Sequence, residues 1–126
     1  MDVAGLFAAV REQDLGGVQD YLASGGDPNA HDPDDFGNGN TALHSEPTPP
    51  IAKALLEAGA EVNARCGLGW TPLHRACNSG DLPLAQLLVA NGADPALRND
   101  EGYSPLGRVP GNNSDLLAFM RSVANQ

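Results

Sequence analysis

The sequence predicts an all-α solenoid of about four stacked helix-pair units, with a hairpin finger after each pair. Recurrence at a fixed step is the main reason. Gly39-Asn40-Thr41-Ala42-Leu43-His44, Gly69-Trp70-Thr71-Pro72-Leu73-His74 and Gly102-Tyr103-Ser104-Pro105-Leu106 superpose. So do Gly25-Gly26-Asp27-Pro28-Asn29-Ala30, Gly59-Ala60-Glu61-Val62-Asn63-Ala64 and Gly92-Ala93-Asp94-Pro95-Ala96. Gly25 to Gly59 is 34 residues, while Gly59 to Gly92 and Thr71 to Ser104 are each 33. Such a step suits one helix pair and its connection, stacked on copies of itself. The 15 glycines and 10 prolines fall between apolar stretches, so the helices are short and the turns tight.

Residues 69–101 are the clearest unit. Thr71 suits a helix N-cap, and Pro72 suits the first helical position, where its missing N–H is not needed. Leu73, Ala76 and Cys77 share one face of the first helix, and Gly80 ends it with positive φ. Leu84, Leu87 and Leu88 form the apolar stripe of the second helix, which Gly92 stops.

The Thr71-Pro72-Leu73-His74-Arg75-Ala76 run, the Leu87-Leu88 pair and the Gly92-Ala93-Asp94 turn resemble an ankyrin repeat in register. The resemblance extends over essentially the whole chain. It implies one domain over 1–126, with units of about 1–38, 39–68, 69–101 and 102–126.

The other units are degenerate. In 1–38, Leu6, Phe7, Ala9 and Val10 mark a first helix, and Leu15, Val18, Tyr21 and Leu22 a second. Unit 39–68 is short, and Pro47, Pro49 and Pro50 restrict its first helix to about one turn. In the last unit Gly107-Arg108-Val109-Pro110 stands where a His-x-Ala-Ala run belongs, so that first helix is also doubtful. Leu116, Leu117, Phe119, Met120 and Val123 mark a closing helix. Terminal units of a solenoid are expected to deviate, because one side of each meets water.

At 126 residues the chain suits a single domain able to bury a core without cross-links. Aromatics are only 5%, so the core must come from Ala, Leu and Val. Net charge is −9, and eight acids against Arg11 put −7 of it in residues 1–40. This distribution disfavours nucleic acid and anionic membrane as partners, and it would attract a protein with a basic face. A merely soluble surface is the plainer reading of the same charge. No apolar run reaches the ~20 residues of a membrane span. Met1-Asp2-Val3-Ala4-Gly5 lacks a basic signal-peptide start, so a cytoplasmic, monomeric protein is expected.

Chemistry finds little to use. His31, His44, His74, Cys66 and Cys77 are the candidates. Cys77 lies one helical turn from His74, but no third metal ligand is near, and Cys77 falls at a small core position. No phosphate loop, nucleophile elbow or HExxH motif occurs. No catalytic residue, metal or cofactor is therefore assigned. The resemblance implies that His44 and His74 are structural, tying adjacent loops together.

It also implies that partner contacts lie on the fingers and on the concave face of the first helices. The candidates there are Asp34, Asp35 and Phe36 in the first finger, and Arg65, Leu68 and Trp70 in the second. Arg98, Asp100, Glu101 and Tyr103 follow in the third, with Arg75 and Asn78 on a first helix. Trp70 and Tyr103 are equivalent, at a position read as exposed, where Trp and Tyr suit an interface hot spot. Packing against a neighbouring finger is the competing reading. Arg65 and Arg98 are also equivalent and should stack one repeat apart. The first finger carries four inserted residues within Pro33-Asp34-Asp35-Phe36-Gly37-Asn38, an acidic stretch with one exposed Phe, and long loops of this kind are usually functional or disordered.

The functional expectation is non-catalytic recognition of a protein. Short ankyrin-repeat proteins resemble immunity-type factors that block a partner enzyme. An adaptor that leaves its partner active is the alternative, and an enzyme or metal-binding protein is a remote one.

Overall fold

The computed structural model describes residues 2–124. Six helices and two short 3₁₀ turns follow one another, with no strand among the described residues. They are α1 (Val3–Arg11), α2 (Leu15–Ala23), a 3₁₀ turn (Ala42–Ser45), α3 (Pro49–Glu57), α4 (Pro72–Ser79), α5 (Leu82–Ala90), a second 3₁₀ turn (Pro105–Arg108) and α6 (Ser114–Ala124). Read in pairs, these are four units, each a first and a second helix. The all-α solenoid expected from the repeats is the observed fold.

Local chemistry sets the helix ends. Asp2, Asp14 and Asp81 accept hydrogen bonds from the N–H groups of Gly5, Gly17 and Leu84, so three acids cap helices. Thr71 caps α4 by accepting from the His74 N–H, Pro72 follows it, and Gly80 ends the helix at φ 78°. The prolines of the second unit act as expected. Its first helix shrinks to Ala42–Ser45, and Pro49 and Pro50 open α3 instead. In the last unit the turn ends at Val109, which adopts the extended backbone that a following proline favours.

The elements pack in two rows. The first-helix row runs from α1 through one 3₁₀ turn to α4 and the other 3₁₀ turn. The second-helix row runs α2, α3, α5, and α6 closes the stack against the second 3₁₀ turn. Between the rows lie Leu6, Phe7, Val18, Leu43, Ile51, Leu55, Leu73, Leu84, Leu88, Leu116 and Met120, all essentially without solvent contact. Small Ala42, Ala52, Ala76 and Cys77 sit among them, so neighbouring helices approach closely.

The loops are tied unit to unit. Asn29 donates to the Gly59 carbonyl and accepts from the Glu61 N–H. Asn63 repeats both bonds one unit on, to Gly92 and Asp94. The third equivalent position holds Ala96, and the ladder ends there.

Candidate partner-binding surface

Each finger closes on the same backbone bond. The N–H of Asp32, Cys66 or Asn99 donates to the carbonyl of Asn40, Trp70 or Tyr103 respectively. Eight residues separate the pair in the first finger and four in the others, which locates the insertion between Asp32 and Asn40.

Two histidines hold the fingers to the helices. His74 Nδ1 accepts from the Thr71 N–H at 3.1 Å, which leaves Nε2–H to donate to the Tyr103 carbonyl at 2.8 Å. His44 does the same between Thr41 and the Trp70 carbonyl. Both rings are buried, and desolvation pulls both pKa values below the ordinary imidazole value, against the opposing effect of the carbonyl bonds. Each histidine is a connector.

The inserted finger is ordered by its own acids. Asp32 accepts from the Asp34 N–H, and Asp35 accepts from the N–H groups of Asn38 and Asn40. These backbone bonds, that of Asn40 first, hold the Asp35 carboxyl below the usual carboxylate range. Phe36 stands at the tip, fully exposed, with φ 58° followed by Gly37 at 81°. Asp34 is exposed and Asp35 half-buried, so the two neighbours play different parts.

Trp70 requires a correction. The repeat position suggested an exposed side chain, but Trp70 is only 9% exposed. The Arg75 and Arg108 guanidiniums lie over its indole, with Cζ 5.3 and 5.1 Å from the centroid, and His74 packs at 5.9 Å. Arg108 belongs to the next unit, so the neighbouring repeat is what covers the ring. Tyr103 has no following unit among the described residues and stays 45% exposed, with Arg108 5.5 Å from its ring.

The remaining candidates divide. Arg65 is exposed, but its guanidinium donates to the Arg98 carbonyl, and Arg98 donates to the Gly102 carbonyl. These two arginines brace the second and third fingers. Arg75 reaches back to Asn40 Oδ1, and Asn78 Oδ1 accepts from Arg108. Leu68 is 59% exposed, beside Asp100, whose N–H bonds the Leu68 carbonyl; Asp100 and Glu101 are exposed too. Gly69 must be glycine at this contact, with φ 76° and a Cβ that would strike Asp100.

Arg108 is absent from the sequence-derived site. The signal for Arg108 was available: it lies 33 residues after Arg75, at the same place in its unit. Gly107 in place of the usual histidine obscures that register.

Cys77 is buried, and desolvation pushes its thiol up to about 12. Among the described residues no three His, Cys, Asp or Glu cluster as metal ligands, no enclosed pocket opens, and no helix is long and apolar enough to cross a membrane.

A row of helix pairs presenting fingers and one continuous flank defines a repeat module for protein–protein interaction. Residues 6–99, well over half of the chain, match the family described as ankyrin repeats in three copies, and the chain belongs to the ankyrin-repeat family. It is 35% identical over 72 residues to mouse protein phosphatase 1 regulatory subunit 27, covering 57% of this chain and 47% of that one. It is 46% identical over 55 residues to mouse ankyrin repeat and SOCS box protein 16, covering 44% and 12%. To mouse 2-5A-dependent ribonuclease it is 46% identical over 52 residues, covering 40% and 7%. These similarities span less than half the length of each relative.

Proposed function

We propose that this chain is a non-catalytic binding protein that docks its first finger on a basic face of a partner enzyme and blocks it. The observation that carries the reading is the finger itself. Asp32 and Asp35 fix its backbone before any partner arrives, and it holds Phe36 wholly in water. An apolar ring presented on an ordered loop gains more on burial than one on a floppy loop, because less ordering entropy is lost. Asp34 adds an exposed charge beside it, which favours encounter with a basic surface.

A relative named as a regulatory subunit of protein phosphatase 1 is in keeping with control of an enzyme partner. The partner-facing residues on this reading are Asp34 and Phe36 first, then Leu68, Tyr103, Asp100 and Glu101 along the finger row. Arg65, Arg98 and Asp35 act on backbone and contribute indirectly.

The test is affinity capture from native lysate with the wild-type chain and with Phe36→Ala, followed by an activity assay of the captured protein. The reading expects one partner retained by the wild type, lost with Phe36→Ala, and inactive while bound. A partner that keeps full activity makes the chain an adaptor. Equal capture by both chains removes the finger from the interface.

A further inference from the structure

We infer that Arg75, Arg108, Trp70 and Tyr103 form a subsite for a carboxylate side chain, an Asp or Glu on an otherwise uncharged segment of the protein partner. The inference rests on the protein-binding reading and adds what the partner must carry besides its basic face.

Arg75 and Arg108 occupy the same position in successive units, and both guanidiniums lie over the one indole. The chain has sixteen acids against seven basic residues, yet neither arginine meets a carboxylate among the described residues. Lys53–Glu57 is the sole ion pair among the described residues. Their acceptors are neutral: Asn40 Oδ1 and, at 4.0 Å, Cys66 Sγ for Arg75, and Asn78 Oδ1 for Arg108. An acidic protein that leaves the two guanidiniums around one indole without acids keeps a positive spot on a negative surface.

The unsatisfied groups point the same way. Among the described residues the buried side-chain polar atoms without a partner are Trp70 Nε1, Arg75 Nε, Arg108 Nε and Asn99 Nδ2. All four are donors, and three belong to this cluster. Asn99 lies in the adjoining third finger, where its Oδ1 accepts from the N–H groups of Glu101 and Tyr103. Buried donors without acceptors are costly, and a charged acceptor meets that demand best.

The surroundings select the form of the anion. Tyr103, 45% exposed and 5.5 Å from Arg108, gives the site an exposed aromatic edge. Exposed Asp100 and Glu101 lie in the adjoining finger, and the whole chain carries −9. A multiply charged phosphate or a nucleic acid meets that field with its whole charge, whereas a single carboxylate on an apolar segment meets it with one.

The test uses two blocked peptides, Ac-Leu-Glu-Leu-NH2 and its Gln counterpart, and inorganic phosphate. Each is titrated into ¹⁵N-labelled full-length chain at low salt. Trp70 is the only tryptophan, so its indole N–H gives one unambiguous signal. The subsite expects a saturable shift of that signal with the Glu peptide and at least tenfold weaker binding of the Gln peptide and phosphate. Arg75→Gln with Arg108→Gln should abolish the response while the helical circular dichroism is retained. Equal response to the Gln peptide, stronger response to phosphate, or no response at millimolar peptide overturns the proposal. The wild-type comparison holds even if the double variant misfolds. The subsite is read here without the captured partner, so its failure is separate from failure of the capture experiment.

Discussion

His74→Ala tests the connector role that holds the third finger to α4. The substitution leaves the Thr71 N–H, on a residue with no solvent contact, without its 3.1 Å acceptor. It also frees the Tyr103 carbonyl from its 2.8 Å donor, at a residue that water can reach. A buried group left unpaired costs about 1–3 kcal/mol, and a partly solvated one less, so about 2–4 kcal/mol is expected once the ring's own packing is included. For a chain of this size each kcal/mol moves Tm by roughly 3–6 °C, which places the loss near ~10 °C. Thermal and urea melts by circular dichroism measure it, with exposed His31→Ala as the control. A shift under ~3 °C would refute the connector account, taking ~1 kcal/mol as the least cost of an unpaired buried group. So would stoichiometric zinc that the substitution removes.

The pH dependence follows from the same two rings. His44 and His74 have folded pKa values below the ordinary 6.5, so their stabilising contribution is complete above 6.5 and declines as pH falls through the folded values. Melts should therefore show Tm dropping between neutral pH and about 5, with a shallower drop in His74→Ala; a flat profile contradicts this. Phe36→Gly should raise Tm slightly, because it relieves a left-handed backbone at φ 58° worth about 1 kcal/mol, while calorimetry with the captured partner shows weaker binding. A fall in Tm, or unchanged affinity, counts against the finger as drawn. Trp70→Ala should cost about 3 kcal/mol and Tyr103→Ala under about 1 kcal/mol in urea melts, since only the first ring is buried. Similar losses at both positions would show that the two rings are equally packed.

The periodic features were legible in the sequence because each is written several times. Thr71-Pro72-Leu73-His74 and its partial copies set the register, and the prolines after Ser45 forecast a one-turn helix. The four extra residues of the first finger showed in the spacing. Its order did not, since that depends on Asp32 and Asp35 folding back on backbone N–H groups. Part of the N-terminal acidity likewise proved to be local, with Asp2 and Asp14 spent on helix caps and Asp27 on the Asn29 N–H. The two readings of Trp70, exposed or packed, were inseparable in the sequence for a different reason. Repeat position tells which way a side chain leaves its own unit, whereas its burial depends on what the next unit places over it. Arg108 supplies that cover from a unit whose motif is broken at Gly107.

The most direct measurement is turnover of the captured partner enzyme during titration with this chain. The account predicts that activity falls linearly and reaches its floor at one chain per enzyme. Phe36→Ala should need a large excess to reach the same floor, and Arg75→Gln with Arg108→Gln a smaller one. Undiminished turnover at saturating wild-type chain would contradict the account, as would inhibition to the same extent and at the same ratio by Phe36→Ala.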